Sequence, residues 1–442
     1  MSFSEIKQWI VGILVGLFSV LFLVLPLDGV QQATGRVTKE LPTTPDDFLP
    51  TVRLVVFTDT HNHNDRVADG IDTAYALFDN AAPYAGVDGF FCLGDFSSIG
   101  EEGAYANFVK TLQEHVRPET PVVSIHGNHE FKNDNYREYF IKHFGYDPDT
   151  VTEIKGFSCI AFSGERGLTE WTYTTSSLRW LSSAIRDAEA KRTDGRAIFV
   201  FQHPHPWGTV YGSTVWGDPQ LNPVLTGHTA VVDFSGHSHF PMNDPRSINQ
   251  STFTAVGCGA MEYYELDNNC IPGQHPDGYD PADNHCVVEA DNDGSVRIRG
   301  YDLLTDTYFC DYYIDNVNDI STYAYTYNNL MLHDKAPVFP ADAAATAYRN
   351  ESGEWILSFT EAEAAAGYIV HEYNVSIFDE KGLLVYHENL INDYFVIDDG
   401  TPADFRIGSD TLESGKTYTL LVRAESAYHK LSKTIKLEFT AQ

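Results

Sequence analysis

Arg53-Leu54-Val55-Val56-Phe57-Thr58-Asp59-Thr60-His61 is the stretch on which the fold turns. Its apolar centre, rich in β-branched side chains, reads as a buried strand, and it stops abruptly at the polar trio Asp59-Thr60-His61. Four downstream stretches repeat this pattern. Gly86 to Leu93 runs into Gly94-Asp95, and Pro121 to Ile125 leads to Gly127-Asn128-His129-Glu130. Arg196 to Gln202 ends at His203, and Ala230 to Ser235 gives way to Gly236-His237-Ser238-His239. A helix-compatible segment, Glu101 to His115, separates the second strand from the third. Short β-rich runs alternating with helical segments describe an α/β domain, whose ligand-binding loops gather at the carboxyl ends of the strands. Side chains far apart in sequence are therefore expected along one edge.

The residue types at these strand ends point to metal chemistry. Carboxylate, imidazole and amide oxygen donors together suit Mn, Fe or Zn, whereas Ca and Mg prefer all-oxygen shells. Asp59, His61, Asp95, Asn128, His203, His237 and His239 make seven candidates, more than one ion needs and enough for two ions that share a carboxylate. In Asp59-x-His61 and His237-x-His239 alternate residues of an extended segment point the same way. Gly94, Gly127 and Gly236 allow tight turns and close backbone approach beside them.

In this order, the five pieces resemble the calcineurin-like metallophosphoesterases over roughly residues 51–312. The resemblance implies a four-layer α/β/β/α sandwich over 51–315 and a small phosphate mono- or diester as substrate. It implies that Asp59, His61 and His239 hold one divalent or trivalent ion (Mn, Fe or Zn), that Asn128, His203 and His237 hold the second, and that Asp95 bridges them. His129 matches the catalytic histidine, with Glu130 as the group that orients it. The expected reaction is attack on phosphorus by a hydroxide bridging the two ions, with His129 protonating the departing oxygen. His205, two residues beyond His203, is a fallback ligand or a substrate contact. His63, His126 and His228 lie near the motifs but stay outside the metal set. Trp207, Tyr211 and Trp216 either wall a substrate pocket or pin a long loop to the domain. Asp291-Asn292-Asp293-Gly294 sits between two alternating strands and reads as a hairpin turn rather than a calcium loop.

The remaining features set compartment and partners. Acidic residues number 62 against 29 basic ones, a net charge of -33 that excludes nucleic acid as a partner and keeps the surface soluble. No charge interrupts Trp9 to Leu27, a run just long enough to span a bilayer. Residues 1–34 are thus expected to be a signal anchor with the chain exported, or a cleaved signal peptide with the chain secreted. A Pro-rich linker follows over 35–50. Among six cysteines, Cys92 and Cys159 read as buried apolar residues, and Cys270 with Cys286 brackets a loop that a disulfide could close, Cys258 and Cys310 being equally eligible as partners.

Beyond a second linker at 316–337, residues 338–442 carry short strand-like runs, Trp355 to Phe359, Tyr368 to Phe378, Leu383 to Tyr386 and Tyr418 to Ala424. Leu412 to Tyr418 resembles the tyrosine corner of fibronectin type III domains, with Trp355 as the buried tryptophan of an early strand. The resemblance implies an immunoglobulin-like β-sandwich acting as a spacer or as a module for a cell-surface ligand. The rival to an active exported phosphoesterase is a catalytically silent, metal-bound adhesion or scaffold protein.

Overall fold

The computed structural model describes residues 39–167, 171–267, 272–274, 282–395 and 403–442. The expected membrane segment within 1–34 lies outside them, and among the described residues no helix is long and apolar enough to cross a membrane.

The strand Val52–Phe57 is buried on both faces, as an all-apolar centre requires. It pairs in parallel with Gly89–Cys92, which pairs in parallel with Val122–Ser124. On its other side three antiparallel strands, 284–290, 296–302 and 307–314, complete a six-stranded sheet. A second six-stranded sheet runs in the order 248–250, 254–257, 231–235, 198–202, 157–161, 150–154, with its four central strands parallel. Side chains from both sheets interdigitate in one core, where Phe91 of the first stacks on Phe201 of the second with ring centroids 3.9 Å apart. Helices 64–78, 102–115 and 136–144 cover the outer face of the first sheet, and 175–191 covers that of the second. The four layers are those of the expected α/β/β/α sandwich.

Register decides where the strands end. Phe57 lies opposite Cys92 and Cys92 opposite Ser124, so Asp59, Asp95 and Asn128 leave the first sheet at one edge. Gln202 lies opposite Ser235 in the second sheet, which brings His203 beside Gly236. The turn expected at Asp291 to Gly294 is a hairpin turn: Asp291 Oδ1 accepts from the backbone N–H groups of Asp293, Gly294 and Ser295.

The C-terminal region is a sandwich of a three-stranded sheet, 345–349, 355–359 and 403–407, on a four-stranded one, 384–391, 370–378, 417–426 and 435–440. Trp355 is fully buried in its core, with the indole N–H donating to the Leu412 carbonyl at 2.9 Å. The Tyr418 hydroxyl accepts from the Glu413 N–H at 2.9 Å, as the corner motif requires.

The second linker differs from expectation. Residues 316–337 are packed rather than loose: they include the helix Tyr327–His333, and the buried Gln250 side chain accepts the N–H groups of Ala324 and Tyr325. Ala427 and Tyr428 of the sandwich extend the inter-sheet core of the α/β domain, so residues 41–442 form one compact unit. Cys286 is a free, buried cysteine, and Cys270 lies outside the described residues.

A buried charge knot holds the first sheet. The Arg53 guanidinium meets Glu289 at 2.6 Å while its other N–H groups reach the carbonyls of Tyr84 and Gly86. Arg299 takes the second Glu289 oxygen at 2.8 Å. Glu289→Ala should therefore leave Arg53 buried and unpaired and lower stability by about 3–5 kcal/mol in urea unfolding. A loss under about 1 kcal/mol would show that neighbouring carbonyls suffice for Arg53.

Candidate metal centre

At the shared edge the backbone is forced into an uncommon shape. Asp59, His61, Asp95, His237 and His239 all have positive φ, between 40° and 71°. Side chains with a Cβ rarely adopt this region, and such residues concentrate where surrounding structure over-determines them. Here the determinants are loop-to-loop bonds. The Asp59 N–H donates to the Gly94 carbonyl at 3.3 Å, and the His61 N–H to the Asp95 carbonyl at 2.9 Å. Asp59 Oδ2 accepts from the Thr58 hydroxyl at 2.6 Å and from the His237 N–H at 2.9 Å, tying the first sheet to the second. No side chain fits between these strands: a Cβ on Gly127 would lie 2.2 Å from Asp95 Oδ1, and one on Gly236 1.9 Å from Thr58 Oγ1.

Within this frame the seven predicted side chains meet. Asp59 Oδ1 lies 3.2 Å from His239 Nε2, which lies 3.3 Å from His61 Nε2. Asp95 Oδ2 stands 3.9 Å from His61 Nε2 and 3.3 Å from His203 Nε2, and His203 Nε2 is 3.0 Å from Asn128 Oδ1. Asp59, His61 and His239 form one group of converging donor atoms, Asp95, His203 and His237 another, and His61 and Asp95 converge in a third with His129. The outer nitrogens are spoken for: His203 Nδ1 donates to the Leu93 carbonyl at 2.7 Å and His239 Nδ1 to the Tyr263 carbonyl at 3.0 Å. Each ring therefore presents the lone pair of Nε2 to the centre.

The arrangement fits cations. Asp59 Oδ1 and His237 Nε2 are buried and make no hydrogen bond among the described residues. Two imidazole nitrogens facing each other beside two buried carboxylates are stable only around positive charge. The titration tendencies agree. Burial disfavours charge on every one of these groups. Even so, Asp59 is held below the usual carboxylate range by His239 and His203, and Asp95 by His203 and His129. His203 is pushed up to about 9 by Asp95 against the same burial. The donor set, two carboxylates, four imidazoles and an amide oxygen, is compatible with a dinuclear site of first-row metals.

His129 and Glu130 take different places. His129 stands at the rim with its Nδ1 donating to the Ser98 carbonyl at 2.8 Å and its Nε2 3.9 Å from Asp95 Oδ2. Glu130 is fully buried and accepts the N–H groups of Asp95 at 2.9 Å, Ser97 at 2.9 Å and Gly127 at 2.7 Å. The group that orients His129 is thus the Ser98 carbonyl, and Glu130 instead clamps the two loops that carry Asp95 and Asn128.

His205 is neither ligand nor substrate contact: both ring nitrogens bond to serine hydroxyls, Ser235 at 2.6 Å and Ser238 at 2.7 Å. Tyr211 and Trp216 pack on Phe240 and pin their loop, while Trp207 is half exposed. Several neighbours escaped the sequence reading. Glu262 Oε2 lies 3.6 Å from His61 Nε2, and the Tyr263 ring lies against His239. Lys132 Nζ is 2.9 and 3.2 Å from the ring nitrogens of His129, and Trp171 meets His237 edge-on. Glu262 and Tyr263 follow the strand Thr254–Gly257, so the strand-end rule that found the other loops would have reached them.

A double α/β sandwich with such a cluster at its edge is compatible with metal-dependent phosphoester chemistry. Residues 52–241 match the family described as Calcineurin-like phosphoesterase. Among solved structures, a dimetal phosphatase from Danio rerio is 12% identical, with 60% of this chain and 99% of that one covered at a TM-score of 0.43. A purple acid phosphatase from yellow lupin seeds is 12% identical over 64% of this chain and 56% of its own, with a TM-score of 0.41. An Fn3-like protein from Clostridium thermocellum is 17% identical over 24% of this chain and 96% of its own, with a TM-score of 0.16. No curated protein matches the chain.

Gly236→Ala should drive a methyl group into Thr58 and Asp59, weakening Mn binding about tenfold or more while leaving the far-ultraviolet circular dichroism unchanged. Unaltered Mn affinity would mean that the close approach at Gly236 does not shape the site.

Proposed function

We propose that this chain is an exported, dinuclear metal-dependent phosphoesterase acting on a small phosphate mono- or diester. The observation that carries the reading is the convergence of Asp59, His61 and His239 beside Asp95, His203, His237 and Asn128, with His129 at the rim of the same space, its Nε2 3.9 Å from Asp95 Oδ2. Two ions held there, Mn, Fe or Zn, would supply a water of lowered pKa as nucleophile and neutralise the phosphoryl oxygens.

The chain's own residues complete the chemistry. With Nδ1–H bonded to Ser98, His129 presents Nε2 to the leaving oxygen, to which it gives a proton or a hydrogen bond. Lys132, exposed beside His129, adds a cation at the mouth of a strongly acidic protein and draws in the anionic ester. Glu130, the Ser98 carbonyl and the outer-nitrogen bonds of His203 and His239 keep the donors in place before substrate arrives.

Purified protein with Mn should hydrolyse p-nitrophenyl phosphate or its bis ester, and no turnover with Mn, Zn or Fe would reject the enzyme in favour of a silent scaffold. His129→Ala should keep its metal and lose about 10²–10⁴-fold in kcat, whereas Asp95→Ala should lose metal. The reverse pattern would overturn the two roles. Export rests on the uncharged run Trp9 to Leu27. In intact cells of the native host, externally added protease should digest the catalytic domain, and its protection would place that domain inside.

A further inference from the structure

His371 is the second residue of the sandwich strand Val370–Phe378, yet its fully buried ring serves the α/β domain. One nitrogen, Nδ1, lies 3.2 Å from an Arg246 guanidinium nitrogen, and the other, Nε2, lies 2.7 Å from the Asp267 carbonyl. A guanidinium only donates, so Nδ1 accepts, and the proton on Nε2 is given to Asp267. The ring thereby bridges two loops of the other domain, with Asp267 Oδ1 also 3.3 Å from Nε2.

Both loops lead to His239. Arg246 grips Asp244 through two bonds, at 2.9 and 2.6 Å, and stacks its guanidinium 3.6 Å above the Tyr211 ring. Tyr211 packs on Phe240, the residue after His239, with ring centroids 4.0 Å apart. The Asp267 N–H donates to the Tyr211 hydroxyl at 3.2 Å, closing the circuit. On the other side of the ligand, the His239 carbonyl accepts from the Glu265 N–H at 3.0 Å and His239 Nδ1 donates to the Tyr263 carbonyl. The segment Tyr263 to Asp267 is thus fixed at one end by His239 and at the other by His371. The sandwich adds two more contacts: Phe395 packs on Tyr264 at 5.4 Å, and the Tyr394 hydroxyl donates to Asp244 Oδ2 at 3.2 Å.

We propose that the sandwich is a structural part of the metal centre, with His371 as a positioning residue that fixes Asp267 and Arg246 and, through them, His239 for the ion shared with Asp59 and His61. This rests on the dinuclear reading above. Ordinary interdomain packing predicts a loss of stability alone. A positioning role predicts selective damage to one of two ion sites.

The test is Mn titration of the full-length protein by calorimetry, together with electron paramagnetic resonance of the exchange-coupled Mn pair. His371→Phe fills the same space without either hydrogen bond. It should weaken one binding event about 10–100-fold, leave the other within about twofold, and replace the coupled signal by a mononuclear one. His371→Gln, whose amide N–H reaches the Nε2 position, should recover most of the lost affinity. A folded His371→Phe protein that binds both ions like wild type overturns the proposal. Should His371→Phe fail to fold, Phe395→Ala carries the same expectation and is overturned by the same result. Wild-type protein that takes up fewer than two ions instead rejects the dinuclear reading, an outcome distinct from a variant that binds two ions normally.

Discussion

Two buried carboxylates set the terms for everything else in this molecule. Asp59 and Asp95 leave neighbouring parallel strands at the same edge, almost without solvent contact. Burying one such charge without a partner costs several kcal/mol, and burying two side by side costs more, so the edge has to be furnished with positive charge and hydrogen-bond donors. The chain supplies donors through backbone N–H groups: His237 to Asp59, His129 to Asp95, and three more to Glu130. It leaves the inward atoms for cations. Positive φ at five of the seven candidate ligands is the geometric cost of turning all of them toward one space.

Much of this was legible in the sequence because it is local. A buried strand followed at once by a polar cluster is a pattern within ten residues, and parallel strands deliver their ends to a common edge whatever the intervening helices do. Gly127 and Gly236 were readable for the same reason, since close strand approach leaves no room for a Cβ. The sandwich was legible from its short strand-like runs and from the resemblance of Leu412 to Tyr418 to a fibronectin tyrosine corner, and the bond between Tyr418 and Glu413 lies where that resemblance implies.

What the sequence withheld is non-local or decided by hydrogen-bond competition. Glu130 adjoins His129 in the chain, so orientation of the imidazole was the natural guess. Yet in the short 3₁₀ turn that follows, its carboxylate swings inward to three backbone donors and the Ser98 carbonyl takes the imidazole. His205 was ambiguous on spacing, and only the placement of Ser235 and Ser238 on either side of its ring settles what it does. Residues 316–337 looked like a linker because a Tyr/Asn-rich stretch, Tyr323 to Asn329, precedes Pro337 to Pro340. Their packing comes from partners such as Gln250 more than 70 positions away.

The same reasoning bears on why a second domain is built into the unit at all. A loop that carries a candidate ligand in the left-handed region is intrinsically inclined to relax, and the α/β domain braces His239 through the segment Tyr263 to Asp267, of which only Leu266–Asp267 is strand, paired with 272–274. A β-sandwich is stiff, and His371 and Phe395 press that stiffness on the loop at Asp267 and Tyr264. Linkage then runs in both directions: if docking of the sandwich favours the ion-binding arrangement of His239, ion binding must favour docking by the same free energy. On this view the compactness of residues 41–442 belongs to the chemistry, because the entropy of arranging one half of the site is met when the two domains fold against each other rather than when the ion arrives.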